Sequence, residues 1–214
     1  MLLNQPAAAA AAAAVLNVTV TNPTAAGYVT AYPDGSAAPI ASNLNFTAKQ
    51  TVANEVIVQP GQGQAVEFRN NSPGTVDLVV DLSGTFIADD GGAFTPVSPT
   101  RILDTRKGIG ATGPVTGNGE VTAPIAAALP AGLSQDSVQA LALNVTVTEP
   151  AAGGYVTAGV SGTSGPPAFS TLNFTAGQTI ANASTASPLK DGIVLYNGSG
   201  GPTQLLVDAF GYYS

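Results

Sequence analysis

The chain has 214 residues, 44% of them hydrophobic and only 9% charged, with 25 Gly, 16 Pro and no Cys, His or Trp. This composition removes disulfides, thiolate nucleophiles, imidazole-based triads and any zinc site built on His or Cys. Six Lys and Arg against 13 Asp and Glu leave a net charge of −7, so a phosphate backbone offers no attraction and nucleic acid is not an expected partner.

Met1 to Pro6 lead into eight alanines, Ala7 to Ala14. The stretch lacks the basic flank and large apolar residues of a signal peptide, and it is too short to cross a bilayer. No other stretch reaches 18 apolar residues, so no membrane span is expected. Polyalanine favours helix, but eight residues make a marginal one. Three readings of the run stand: a short helix, a strand continuing into the segment from Val15, or placeholder residues in an incompletely identified sequence.

From Val15 the pattern is β. Leu16, Val18 and Val20 alternate with Asn17, Thr19 and Thr21, the period of a half-buried strand. After Asn22-Pro23 comes Gly27 to Tyr32, closed by Pro33-Asp34-Gly35, where Pro fixes φ and Gly accepts positive φ. Val56 to Val58 and Ala65 to Phe68 follow, each before a Gly/Pro/Asn turn, and Val76 to Leu82 runs toward Gly84. Besides the alanine run, the only helix candidate is Ala126 to Leu129, cut short by Pro130.

Self-comparison organises the chain. LNVTVT stands at Leu16 and again at Leu143, GYVTA at Gly27 and Gly154, LNFTA at Leu44 and Leu172. Gln50-Thr51, Ala53-Asn54, Val80-Asp81 and Gly84 recur as Gln178-Thr179, Ala181-Asn182, Val207-Asp208 and Gly211. The offset is 127 to 128 residues throughout. The expected fold is therefore all-β, with two tandem β-sandwich modules, jelly-roll or Ig-like. The expected divisions are an Ala-rich segment 1–14, a partial first module 15–92 and a complete second module 93–214. The segment 89–141 has no counterpart ahead of Val15, so the first copy lacks its N-terminal third.

Within that third lies Phe94 to Arg106, which ends in Pro99-Thr100-Arg101-Ile102-Leu103-Asp104-Thr105-Arg106. Together with the LNVTVT, GYVT, LNFTAGQT and VVD-x-x-G blocks, it resembles a repeat of secreted and cell-surface proteins of actinobacteria and other soil bacteria. The resemblance covers Val15 to Ser214 and implies a secreted or cell-surface β module accessory to other domains. It transfers no catalytic residues.

Arg101, Asp104 and Arg106 are the foremost candidates. In an extended segment 104 and 106 share a face and 101 takes the other. They read either as a structural ion pair or as Arg forks for a carboxylate or sugar. Asp81 and Asp208 are equivalent acids, each three residues before a Gly, expected at strand ends where they bond the following turn. Tyr28 and Tyr155 are candidates for stacking on sugar rings, against the plainer expectation of strand core. Asn17, Asn45, Asn144 and Asn173 each stand in N-x-T, as strand pattern rather than glycosylation sites. Asp89-Asp90-Gly91-Gly92 lacks the ligand spacing of a calcium loop. No S-x-x-K arrangement surrounds Lys49, Lys107 or Lys190, and no acid pair stands out for glycoside hydrolysis. No catalytic residue, metal or cofactor is expected.

The function expected from these features is non-catalytic and extracellular: a self-associating subunit of a surface fibre or layer. A carbohydrate or cell-wall binding module beside a hydrolase is the alternative. A sandwich cut mid-repeat leaves an open edge, so head-to-tail β contacts into a homo-oligomer or polymer are expected, with strands supplied by the next chain.

Overall fold

The structure, a computed structural model, describes residues 11–87, 92–159, 166–189 and 192–214. It is all-β, with four sheets and no α-helix among the described residues. The chain divides into two compact units, Met1–Gly91 and Gly92–Ser214.

Unit 1 holds β1 (Ala11–Thr21), β2 (Gly27–Pro33), β3 (Leu44–Phe46), β4 (Val52–Val58), β5 (Val66–Asn70) and β6 (Asp77–Ile87). Its sheets run β4-β1-β6 and β3-β2-β5. Ala11 to Ala14 are the first residues of β1, opposite Thr85, Phe86 and Ile87 of β6 and, at Ala14, Val58 of β4. Once β4 and β6 flank them, their short side chains leave room for the larger neighbours, and sheet pairing overrides their helical propensity. Ala7 to Ala10 lie outside the described residues. One buried cluster draws on both sheets, with Leu16, Val18 and Val20 from β1 and Val29 from β2 wholly enclosed.

Unit 2 holds β7 (Phe94–Asp104), β8 (Glu120–Ala123), β9 (Ala140–Thr148), β10 (Gly154–Ala158), β11 (Leu172–Phe174), β12 (Ile180–Ala186), β13 (Ile193–Asn197) and β14 (Gln204–Tyr213). Its sheets run β12-β9-β14-β7 and β11-β10-β13-β8, and they too share one buried cluster. Ala126 to Ala128 make one 3-10 turn, after which Pro130 denies the helix its next donor.

The pairings correspond strand for strand. β1 pairs with β4 and β6, as β9 pairs with β12 and β14. β2 pairs with β3 and β5, as β10 pairs with β11 and β13. A register shift passes over Ser83 in β6 and over Phe210 in β14, one position before Gly84 and Gly211. Side-chain bonds follow suit. The Gln50 amide oxygen accepts from the Thr47 amide at 2.9 Å, and Gln178 accepts from Thr175 at 2.9 Å. Asn54 donates to the Asn43 carbonyl at 2.7 Å, and Asn182 to that of Thr171 at 2.7 Å.

The segment without a counterpart supplies β7 to the outer side of β14 and β8 to the outer side of β13. Among the described residues, β6 and β5 end their sheets at those same places.

Candidate functional site

The residues singled out in the sequence converge on the end of β7. Leu103 pairs with Val207 but Arg101 with Asp208, so Ile102 is the extra residue of a bulge. Ile102 and Leu103 are both buried, which breaks the alternation of the strand. After Asp104 the chain turns rather than continuing extended. Arg101 and Arg106 therefore do not take opposite faces, as a regular strand requires. Both reach Asp104.

Asp104 is fully enclosed. Its Oδ1 accepts from the Arg106 backbone amide at 3.1 Å and from Nε at 3.0 Å, while Oδ2 accepts from Arg106 Nη2 at 2.9 Å and Arg101 Nη1 at 3.2 Å. The hydrogen bonds from the Arg106 side chain, against the opposing cost of burial, hold its pKa at about 2. Arg101 spans the gap to β14, donating to Asp208 from Nε at 2.5 Å and Nη2 at 3.0 Å. Both guanidinium groups are held in their charged form, first by these hydrogen bonds. All four lone-pair positions of Asp104 are used, so it has no capacity for proton transfer at neutral pH. The arrangement is a clamp that fixes β7 and its turn to β14.

Two members of this clamp carried no sequence signal of their own. Thr105, buried, donates its backbone amide to the Leu205 carbonyl at 3.1 Å, and its hydroxyl accepts from the Leu205 amide at 3.0 Å and donates to the Gln204 amide oxygen at 2.5 Å. Gly110 has φ of +74°, and a Cβ there would lie 2.5 Å from the Ile102 carbonyl oxygen. Only glycine both adopts that conformation and leaves that space.

Asp81 and Asp208 are not strand-end acids. Each lies within a long strand, Asp81 opposite Asn17 and Asp208 opposite Asn144 and Arg101. The turn expected at Gly84 and Gly211 does not form because the register shift lets β6 and β14 run on past both glycines. Asp208 faces an arginine because β7 lies beside it; Asp81 holds the same place in β6.

Tyr155 packs on backbone. Its ring fills the space where a Cβ of Gly198 would stand, 2.2 Å from its Cζ, and its hydroxyl donates to the Pro167 carbonyl at 3.3 Å. Burial, then the neighbouring Tyr196, raises its pKa. Tyr28 is half-buried on the corresponding strand, its carbonyl accepting from the Asn71 amide at 2.8 Å as that of Tyr155 accepts from Gly198 at 2.9 Å. The two tyrosines stand in separate units, and the ring beside Tyr155 is that of Tyr196, buried, with centroids 6.3 Å apart. Asp89, Asp90, Gly91 and Lys190 lie outside the described residues. Among the described residues, no three acids gather as a metal ion would need.

One polar pair was not anticipated. Tyr32 and Glu67 face each other across β2 and β5, and their hydrogen bond raises the tyrosine pKa and lowers that of the glutamate.

The second notable site is the outer side of β6 and β5. Leu78 and Val79 are 36% and 49% exposed, while their counterparts Leu205 and Leu206 in β14, which pairs with β7, are 0% and 7% exposed. Asn70 is half-buried at the end of β5. Its counterpart Asn197, fully buried, donates to the carbonyls of Val115, Thr116 and Gly201 at 2.9 to 3.1 Å. A Cβ on Gly211 would meet the Phe94 ring at 2.4 Å, and one on Gly84 would meet nothing within 4 Å. Among the described residues, the same sequence pattern is thus covered in one unit and less covered in the other.

Comparison with protein-family models, with curated proteins and with solved structures finds no match to this chain. No helix among the described residues is long and apolar enough to cross a membrane.

Proposed function

We propose that this chain is a non-catalytic structural and interaction protein of the cell surface or secreted space, working through strand addition at β6 and β5. In this reading the two units are copies of one β-sandwich module, the first without the strands that close its edge. The open edge carries the proposal. Among the described residues β6 ends its sheet, with Leu78 and Val79 exposed on it, and such a strand is a template for pairing with another chain. Covering those two side chains as Leu205 and Leu206 are covered contributes about 1–2 kcal/mol each, before any backbone bonds form.

The absence of cysteine leaves such a module indifferent to redox state, and the saturated Arg101–Asp104–Arg106–Asp208 clamp supports a structural rather than a catalytic role. The cell-wall glycan alternative has less support, because both arginines hold carboxylates and Tyr155 lies on Gly198.

Sedimentation velocity and negative-stain electron microscopy over a concentration series test this. The wild-type chain is expected to associate at high concentration and Leu78→Lys to stay monomeric, since an edge lysine blunts pairing. A wild-type chain that is monomeric at every concentration overturns the subunit reading.

A further inference from the structure

We propose that Asn118 is a site of spontaneous deamidation, and that its isoaspartyl product loosens β8 from β13. Asn118-Gly119 and Asn197-Gly198 are the two Asn-Gly pairs of the chain. In such a pair no Cβ shields the glycine nitrogen, which can attack the side-chain amide carbon of the asparagine. The glycine nitrogen gives its proton to solvent and bonds to Cγ, closing a five-membered succinimide. The Cγ–Nδ2 bond breaks, and Nδ2 takes up a proton and leaves as ammonia. Water then adds across one of the two ring C–N bonds, giving aspartate or isoaspartate. Water is the one co-reactant.

The structure separates the two pairs. Asn118 is exposed on the loop that leads into β8, and the Tyr196 hydroxyl donates to its Oδ1 at 3.2 Å. That bond draws electron density from Cγ and stabilises the oxyanion formed on attack. The Gly119 amide donates to the Thr116 carbonyl at 3.0 Å and must leave it to react. Its release costs little, since Asn197 Nδ2 also donates to that carbonyl, at 3.0 Å, and keeps it satisfied. Asn197 is fully buried. Its Nδ2 donates to three carbonyls, its Oδ1 accepts from Ser199 Oγ at 2.8 Å, and the Gly198 amide donates to the Tyr155 carbonyl at 2.9 Å. Attack there would dismantle the whole network, out of reach of water.

The product bears on β8 through backbone length. The Asn118 amide donates to the Asn197 carbonyl at 2.9 Å, and the Asn197 amide donates to the Gly119 carbonyl at 2.9 Å. Isoaspartate adds one carbon to the chain between the Asn118 nitrogen and the Gly119 carbonyl, so the two bonds no longer fit together. They adjoin the first pair of β8 with β13, Glu120 opposite Tyr196. Asn118 belongs to the segment without a counterpart in unit 1, so the change has no equivalent there.

The experiment ages the full-length chain at mildly alkaline pH, maps its peptides by mass and counts isoaspartate with an isoaspartyl methyltransferase. A gain of about 1 Da at residue 118 is expected, with residue 197 about a hundredfold slower or more. Asn118→Gln, which would have to close a six-membered ring, should remove the methyltransferase signal. Tyr196→Phe, folded like the wild type by circular dichroism, should slow the reaction by about tenfold. After ageing, β8 amides of the wild type should exchange about tenfold faster than those of Asn118→Gln aged alike, with β2 amides unchanged.

A chain that keeps Asn118 intact while a free peptide of residues 112–124 deamidates overturns the site, as does loss of Asn197 at the same rate. Isoaspartate at residue 118 with β8 exchange unchanged overturns the loosening of β8.

Discussion

β6 and β14 hold corresponding places in the pairings of the two units. Both run beside a strand containing LNVTVT, both bulge one residue before a glycine, and both carry a Val-Asp pair. No residue of β6 is buried, whereas β14 buries Leu205, Leu206, Val207, Ala209, Gly211 and Tyr212. The difference follows what lies next to each strand, since β7 pairs with β14 while, among the described residues, β6 ends its sheet. Burial here is a property of the neighbour as much as of the residue.

The largest expected contrast is at the paired leucines. Leu205→Ala removes a fully enclosed side chain and should cost about 3 kcal/mol, while Leu78→Ala should cost less than about 1 kcal/mol. Hydrogen exchange of amides in β9 and in β1 reads the two losses separately. Equal losses would mean that β6 is packed as closely as β14.

Acid should act on unit 2 first. Asp104 has its pKa held at about 2, below the ordinary carboxylate range. Its ionised form therefore stabilises the folded state above about pH 4, and that contribution, about 2 kcal/mol, is lost as pH falls toward 2. Asp104→Asn should flatten this part of the pH–stability profile for β7 and β14 amides. A profile as steep as the wild type would mean that another carboxylate carries it.

A smaller contrast is expected at the glycine pair. Gly211→Val forces a side chain into the Phe94 ring and the Thr95 carbonyl and should cost about 2 kcal/mol. Gly84→Val meets open space within a strand, so thermal unfolding should move little, or upward. The smallest contrast is at the asparagines. Asn197→Ala removes three hydrogen bonds, to the carbonyls of Val115, Thr116 and Gly201, each of which keeps a second donor, and should cost about 1–2 kcal/mol, against about 0.5 kcal/mol for Asn70→Ala. Comparable effects would show that β8 and its approach add nothing to the Asn197 network.

The β character was legible because it is local. Alternation at Leu16, Val18 and Val20 and the Pro33-Asp34-Gly35 turn need only neighbouring residues to specify them. The candidate site was legible in part. Arg101, Asp104 and Arg106 stand out in a chain with six basic residues, but their assignment to faces assumed an unbroken strand. The Ile102 bulge and the turn after Asp104 redirect them, and those depend on β14. Thr105 gave no signal, because its partners Gln204 and Leu205 lie about a hundred residues away.

By itself the sequence determined that this is a β chain, that its blocks recur at one spacing, and that residues 89–141 lack a counterpart, all carried by nearest-neighbour preferences and self-similarity. Tertiary structure alone decided that the unmatched segment places β7 on β14 and β8 on β13, that Asp208 meets Arg101, and that β6 and β5 end their sheets among the described residues. Strand order is set by hydrogen bonds and side-chain burial between residues far apart in sequence, and no local pattern specifies which edge they leave open.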